Sequence, residues 1–78
     1  MSANPATLNQ YSLFRLLQSV DLPEFFEKFL NVGVEGLIEL KTCSQEEFLD
    51  ICSLVGLADQ PERVVEFHKA LRYFDVVL

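Results

Sequence analysis

The fold of this chain is decided by residues 46–74, which read EEFLDICSLVGLADQPERVVEFHKALRYF. The stretch predicts a short helix, a turn at Gly56 and a longer helix opened by Pro61. Glycine readily takes the positive φ that ends a helix, and its apolar neighbours anchor the turn. In the first predicted helix the apolar residues recur at i, i+3, i+4 and i+7, and in the second they also form one stripe, so each helix has one apolar face. These faces consist of Phe48, Ile51, Cys52 and Val55 in the first helix, and of Val64, Phe67, Leu71, Phe74 and Leu78 in the second.

The composition is that of one small folded domain. The 78 residues allow a single domain, and half of them are apolar, including seven Phe and two Tyr. No apolar run approaches the ~20 residues that span a membrane, and no signal peptide opens the chain. Cys43 and Cys52 are too few for a disulfide framework, so we expect two reduced thiols in a cytosolic or nuclear protein.

Three further helices are predicted upstream. Their expected ranges are Leu8–Val20, Pro23–Gly33 and Val34–Leu40. Thr7 or Asn9 is expected to cap the first helix, and Pro23 stands at a first-turn position that tolerates proline. Residues 1–7 are expected to form a flexible N-terminal end, and residues 8–78 the folded domain. Five short helices with tight turns predict a compact all-α bundle.

Polar residues mark the starts of the last two helices. Ser44 and Glu47 have the spacing of a capping box, in which the hydroxyl accepts from the Glu47 amide and the carboxylate reaches back. Asp59 and Glu62 repeat that spacing around Pro61. The sequence therefore predicts two capping boxes.

The apolar residues divide into an expected core and a smaller exposed set. The expected core consists of Leu13, Leu16, Leu17, Phe26, Phe29, Leu37, Leu40, Phe48, Ile51, Val55, Leu57, Val64, Phe67 and Leu71. Leu49, Leu54 and Val65 lie about 100° or more from the centres of the inward faces, at ~100° per residue. Val76 and Val77 follow beyond the last stripe. Scattered exposed apolar residues are ordinary on monomers, but as a set these favour a partner-binding patch.

Catalytic and metal-binding patterns are weak. His68 is the only histidine, and Cys52 on the neighbouring helix is a nucleophile that could approach it. Free cysteine is among the most buried residue types, so a structural role for this pair is favoured. Scattered Cys and His residues do not supply the paired ligands of a zinc site. Glu46, Glu47 and Asp50 form an acidic corner that suits a helix start. The sequence predicts neither an enzyme nor a bound cofactor or metal.

The charge pattern argues against direct nucleic-acid binding. The net charge is −6, and the six Lys and Arg residues never cluster. Binding by charge needs a basic stripe that displaces counterions from phosphates. An acidic module suits a basic protein partner, although an acidic surface also serves solubility.

Short motifs follow one another along the chain in a distinctive order. They are Leu13-Phe14-Arg15-Leu16-Leu17-Gln18, Phe25-Phe26-Glu27 with Phe29, Glu46-Glu47-Phe48-Leu49-Asp50-Ile51, Val55-Gly56-Leu57-Ala58, Pro61 and Lys69-Ala70-Leu71-Arg72. The final helix pair resembles that of the SAM (sterile alpha motif) domain. The motifs together, over about residues 12–74, resemble the first conserved domain of the Nab (NGFI-A-binding) family of transcriptional co-regulators.

That resemblance implies a SAM-like fold whose activity is docking. Domains of this family self-associate and bind a short repression segment of early-growth-response zinc-finger transcription factors, which brings a co-repressor to promoters in the nucleus. The chain then corresponds to an N-terminal docking domain, with repression executed by other parts of such a protein. Two departures are Gly33-Val34-Glu35, where the family tends to show Gly-Gly-acid, and a less basic last helix. The alternative is a generic SAM domain that scaffolds signalling proteins.

SAM-like domains often pair head to tail, and the charges of this chain are compatible with that geometry. Its middle is acidic, while its last helix offers basic side chains and free amides near Pro61. We expect a weak dimer or oligomer; the alternative is a monomer in which Arg63 merely pairs with Glu62 or Glu66. The predicted partner or oligomer surface comprises Glu46, Glu47, Leu49, Asp50, Leu54, Arg63, Val65, Lys69 and Arg72.

Overall fold

Five α-helices and two short 3-10 turns form the fold, in a computed structural model that describes residues 5–74. The helices are α1 (Leu8–Ser19), α2 (Phe26–Asn31), α3 (Leu37–Thr42), α4 (Gln45–Leu54) and α5 (Pro61–Leu71), and the 3-10 turns are Pro23–Phe25 and Leu57–Asp59. No strand occurs in that part of the chain, so the predicted all-α five-helix bundle is confirmed. None of these helices is long and apolar enough to cross a membrane.

The first two helices start close to the predicted signals. Thr7 has extended backbone geometry, and its hydroxyl accepts a hydrogen bond from the Gln10 amide at 3.0 Å. Thr7 is therefore the cap of α1. Pro23 opens a 3-10 turn that leads directly into α2, instead of the first turn of an α-helix.

The third helix begins at Leu37, later than the predicted Val34. Val34 does not start a helix, because its backbone amide forms one of the hydrogen bonds that end α2. The amide of Val34 donates to the Phe29 carbonyl at 3.0 Å. The amide of Gly33, a residue with φ of 96°, donates to the Leu30 carbonyl at 3.1 Å. This pair of bonds is a Schellman motif, a common helix stop.

Asn9 of α1 caps the start of α3. Gly36 precedes the helix and has no side chain to cap it. Instead, Asn9 Oδ1 accepts from the Ile38 amide at 2.8 Å, and Asn9 Nδ2 donates to the Glu39 carboxylate at 2.8 Å. Gly36 lies so close to α1 that a Cβ atom there would be 2.7 Å from the Asn9 carbonyl carbon. A residue of another helix thus fixes where α3 begins.

Local sequence signals fix α4 as predicted. The Glu47 amide donates to the Ser44 hydroxyl at 3.2 Å, and the Ser44 amide donates to the Glu47 carboxylate at 3.3 Å. These two bonds confirm the first capping box. Gly56 turns the chain after α4 with φ of 83°, which confirms the predicted glycine turn.

The start of α5 differs in one respect from the prediction. Pro61 opens the helix as expected, but the predicted capping box of Asp59 and Glu62 is wrong. Asp59 is taken into a 3-10 turn, so the cap position passes to Gln60, which makes no side-chain cap bond. The predicted surface and stripe positions Val76, Val77 and Leu78 lie outside the described residues.

Each of the five helices contributes buried side chains to one apolar core. All predicted core residues are buried except Ile51 and Val64, which are half-buried and pack against the core. Val34 and Cys52 are buried in addition to that set, and so are Leu22 and Phe25. Leu22 precedes the 3-10 turn Pro23–Phe25, and Phe25 is its last residue. Because this segment is a 3-10 turn and not the predicted α-helix, a different set of side chains faces inward.

Phe67 connects the last helix to the rest of the core. Its ring centroid lies 5.6 Å from that of Phe29 in α2 and 5.7 Å from that of Phe48 in α4. Aromatic pairs at such distances stabilise beyond the burial of their area. Phe48 of α4 thus contacts α5 through Phe67 and His68, and residues of both helices line a groove.

Candidate protein-docking groove

Helices α4 and α5 border a groove of about 330 Å³, here termed the α4–α5 groove. It is lined by Gln45, Phe48 and Leu49 from α4, and by Val64, Val65, His68, Lys69 and Arg72 from α5 and its cap. Four residues of the predicted partner surface meet in it, namely Leu49, Val65, Lys69 and Arg72.

The α5 wall of the groove is a second stripe beside the core stripe. Val65, His68, Lys69 and Arg72 stand at i, i+3, i+4 and i+7, so they share one face of the helix. This face is rotated by about one residue position, ~100°, from the buried side of α5. One helix therefore packs against the core and presents an adjoining face to the groove.

The centre of the groove is apolar and accessible. Leu49 is 49 % exposed and Val65 is 53 % exposed. Buried Phe48 and half-buried Val64 form the floor between them. The His68 ring packs on Phe48 with centroids 5.1 Å apart. An incoming apolar side chain would thus meet Phe48 and Val64 between the two exposed residues.

Lys69 and Arg72 give the groove a positively charged rim. Both side chains are exposed, and neither makes a hydrogen bond or ion pair within residues 5–74. The other basic side chains contact the fold itself: Arg15 donates to the Tyr11 hydroxyl, Lys28 lies over the Phe25 ring, Lys41 donates to the Leu71 and Phe74 carbonyls, and Arg63 donates to the Asp21 carbonyl. The rim cations are therefore available to a ligand.

A second cavity extends the groove toward α3. It has a volume of about 320 Å³ and shares four lining residues with the α4–α5 groove, among them His68 and Arg72. Its far end includes Cys43 and Lys41, and Lys41 donates to backbone carbonyls at the end of α5. A ligand longer than the groove would continue into this second cavity.

The remaining predicted residues of α4 lie on its outer side. Glu46, Asp50 and Leu54 stand at i, i+4 and i+8, opposite buried Phe48, and form a stripe here termed the outer α4 face. All three are exposed, and Leu54 is 69 % exposed. Glu47 stands beside this stripe, with its carboxylate engaged in the capping box. The predicted partner surface thus splits into a basic groove and an acidic outer face.

Arg63 belongs to neither surface. It is half-buried, and its guanidinium donates to the Asp21 carbonyl at 3.1 Å. Asp21 has the positive φ of 62° in the turn between α1 and α2. Arg63 therefore ties the start of α5 to this turn, instead of pairing with Glu62 or Glu66 as the monomer alternative supposed.

The two thiols occupy environments that suppress their reactivity. Both cysteines are free, as predicted. Burial, with a smaller contribution from Cys43, raises the pKa of Cys52 to about 11. Burial and the nearby Glu47 carboxylate also raise the pKa of Cys43. Since the thiolate is the nucleophilic form, neither cysteine is activated near neutral pH. No metal-binding group of His, Cys, Asp or Glu is found in residues 5–74.

Four residues that line the groove were missing from the predicted surface, and one of them, Phe48, was predicted as core and is buried. Gln45 lies one turn before Leu49, and His68 lies on the stripe of Val65, so helical spacing could have identified both. Val64 was placed in the core, and the structure shows it at the boundary, half-buried and in contact with both core and groove.

Comparison with known proteins adds an independent line of information. Residues 4–76 match the family model of the NAB conserved region 1 (NCD1) SAM domain. Human NGFI-A-binding protein 1 is 39 % identical over 71 residues, which cover 91 % of this chain and 15 % of that relative. Human NGFI-A-binding protein 2 is 40 % identical over 70 residues, 90 % of this chain and 13 % of the relative. The NAB transcription cofactor mab-10 of Caenorhabditis elegans is 30 % identical over 67 residues, 86 % of this chain and 12 % of the relative. No solved structure matches the chain.

Proposed function

Because the chain belongs to the NAB conserved region 1 family of SAM domains in transcriptional co-regulators, we propose that it docks on a short segment of a zinc-finger transcription factor of the early-growth-response type. The observation that carries the proposal is the α4–α5 groove, with its apolar centre and a basic rim whose side chains make no ion pair within residues 5–74. Such a domain acts in the nucleus as the attachment point of a co-regulator. The chain spans about one-seventh of the length of the relatives named above.

The size of the groove suits a short segment. Its α5 wall runs from Val65 to Arg72, and seven residues at ~1.5 Å each give about 10 Å. This length matches about two turns of a helix, or about three residues of extended chain at ~3.3 Å each. Helical segments that dock in grooves use apolar anchors at i, i+3 or i+4, and i+7. Leu49 and Val65 are the side chains that such anchors would contact.

Two leucines of α4 provide a matched test of the groove. A fluorescein-labelled peptide covering the repression segment of an early-growth-response factor is titrated with the parent chain, Leu49→Gln and Leu54→Gln. Glutamine keeps the helix propensity and approximate length of leucine but removes its apolar character. Loss of an anchor at the centre of an interface weakens binding about tenfold, so Leu49→Gln should raise the Kd by that factor.

The control is Leu54→Gln, which lies on the outer α4 face and should leave the Kd within about twofold. Circular dichroism spectra of both variants establish that the fold is kept. Equal effects of the two substitutions, or an effect of Leu54→Gln alone, would place the docking site elsewhere. A peptide that does not bind the parent chain would refute docking on this class of factor.

We further propose that the domain self-associates head to tail. The outer α4 face carries Glu46 and Asp50, and the groove rim carries Lys69 and Arg72, so the two surfaces have opposite charge. Contact between different surfaces of identical chains is heterologous, and it builds open chains unless the rotation closes. The apolar Leu54 would then face the groove of the neighbouring copy.

Light scattering across a concentration series tests this assembly. The mean mass should rise above the 8.9 kDa of one chain as the concentration increases. Asp50→Lys and Lys69→Glu should each reduce the association, and an equimolar mixture of the two variants should restore at least a dimer, since each keeps one intact surface. A mass that stays at 8.9 kDa up to millimolar protein rejects self-association.

A further inference from the structure

We propose that the α4–α5 groove selects a segment in which carboxylates stand about one helical turn from the apolar anchors. This inference rests on the proposed docking function and specifies the chemistry of the partner. It follows from the position of Lys69 and Arg72 beside the exposed Leu49 and Val65. Within residues 5–74, these are the only Lys or Arg side chains that make no hydrogen bond, ion pair or ring contact.

The first step concerns the sign of charge at the groove. The chain as a whole has a net charge of −6, but among the described residues 5–74 both charged residues that line the groove are basic. The carboxylates of Glu46 and Asp50 lie on the outer α4 face, and Glu66 is one helical turn before Lys69 but does not line the groove. An acidic segment is therefore attracted on the α5 side and repelled on the outer side of α4. This asymmetry also fixes which side of the segment faces α5.

The second step concerns spacing. Val65 and Lys69 are four residues apart on α5, which corresponds to about 6 Å along the helix. Arg72 follows Lys69 by about 4.5 Å on the same face. A helical segment lying along α5 repeats these distances when a carboxylate stands three or four residues from an apolar anchor. A run of apolar residues without acids would leave both rim cations without a partner.

The third step assigns roles to the two kinds of contact. An exposed ion pair changes affinity by up to about fivefold. Ion pairs of a ligand with both Lys69 and Arg72 would therefore change the affinity by at most about 25-fold. Such charges determine selectivity more than affinity. The apolar contacts with Leu49 and Val65 are needed for binding, and Lys69 with Arg72 rejects segments that carry neutral or basic side chains at the matching positions.

Three synthetic peptides test the inference. Each carries leucines four residues apart in a twelve-residue helical sequence, and the flanking positions hold Glu, Gln or Lys. Their Kd values are measured by fluorescence anisotropy at ~150 mM salt, below the concentration at which the chain self-associates. The Glu peptide should bind about 5–25-fold more tightly than the Gln peptide, and the Lys peptide should bind most weakly.

Charge reversal of the rim gives the decisive comparison. In the Lys69→Glu/Arg72→Glu double variant the order should invert, so that the Lys peptide binds best. Arg15→Glu/Lys28→Glu is the control with the same change of net charge, because both residues are exposed and outside the groove, and it should preserve the order seen with the parent. A merely structural effect of the double variant would weaken all three peptides alike and would not invert the order.

The possible failures are distinguishable. If the three peptides bind the parent chain equally and Leu49→Gln weakens all of them, the groove is retained and the charge selection is overturned. If the order does not invert in the rim variant, the cations are not the selecting groups, and the inference is likewise overturned. If no peptide binds, the groove as a docking site and the inference both fail.

Discussion

Removal of the Asn9 side chain should show how much of this fold depends on one contact between helices. In Asn9→Ala, the Ile38 amide at the start of α3 loses its acceptor, and the Glu39 carboxylate loses its donor. Loss of a helix cap costs about 1 kcal/mol. A partly buried amide–carboxylate bond contributes about another 1 kcal/mol. The expected loss of about 2 kcal/mol is a large fraction of the ~5 kcal/mol typical of a small domain.

Urea denaturation followed by circular dichroism measures this loss. With a slope of about 1 kcal/mol per molar urea for so small a domain, the midpoint should fall by about 2 M. Asn31→Ala is the matched control, because Asn31 is exposed at the end of α2 and its side chain makes no bond within the described residues. Its midpoint should stay close to that of the parent. Equal midpoints for Asn9→Ala and the parent would refute the capping role.

The Asn9→Asp variant separates the two bonds. A carboxylate at this position still accepts from the Ile38 amide but repels the Glu39 carboxylate. The variant should therefore be less stable than the parent at pH 7. Because only charged carboxylates repel each other, its deficit should be smaller in acid than at pH 7. A deficit that does not change with pH would show that repulsion between the two carboxylates does not cause it.

Four further substitutions and an alkylation experiment probe other parts of the fold. Phe67→Ala removes the central ring of the aromatic layer and should lower the free energy of unfolding by about 3–5 kcal/mol, seen as loss of the thermal transition or a much lower Tm. Gly36→Ala should lower the free energy of unfolding by about 1–3 kcal/mol, because the added methyl group clashes with α1. The methyl group of Gly56→Ala meets no atom, so this variant should lose only about 1 kcal/mol, from its φ of 83°. Equal losses in the two variants would contradict the clash at Gly36. Native alkylation at pH 8 should modify Cys43 before Cys52, as peptide mass spectrometry can show. Folding raises the pKa of Cys52 from 9.0 to about 11. The unfolded chain therefore loses this thiol proton at a lower pH than the folded chain, so the free energy of unfolding should decline between pH ~9 and pH ~11. Cys52→Ala should weaken that decline.

Features of the fold encoded by neighbouring residues could be predicted from the sequence. The capping box of Ser44 and Glu47 spans one turn, and Gly56 ends a helix through its own backbone freedom. The start of α3 could not be predicted in this way, because Asn9 lies 29 residues before the Ile38 amide that it caps. Sequence spacing carries no signal for such a contact.

The candidate site also has some features that could be predicted from the sequence and others that could not. The exposure of Leu49, Leu54 and Val65 follows from helical periodicity, and the structure confirms it. Periodicity could also have separated Leu49 from Leu54, which are five residues and therefore ~140° apart on one helix. The pairing of Leu49 with α5 depends on interhelical packing around Phe67. The hydrogen bond between Arg63 and the Asp21 carbonyl joins residues 42 apart in sequence. The residues next to Arg63 therefore could not indicate that its side chain binds another part of the fold.

The opposite signs of the net charge and the groove charge lead to a last prediction, on the kinetics of docking. An acidic segment approaching from a distance meets a chain of net charge −6, whereas in the groove it contacts Lys69 and Arg72. At ~0.01 M salt the Debye length is about 30 Å, larger than the 11.2 Å radius of gyration, so the whole charge acts on approach. At ~0.15 M the length is about 8 Å, and mainly the rim cations act. Added salt should therefore raise the association rate constant, because it screens the repulsion, and raise the dissociation rate constant, because it weakens the rim pairs. Stopped-flow anisotropy with the Glu peptide measures both constants. An association rate constant that falls with salt would show instead that the two rim cations already dominate the field at long range.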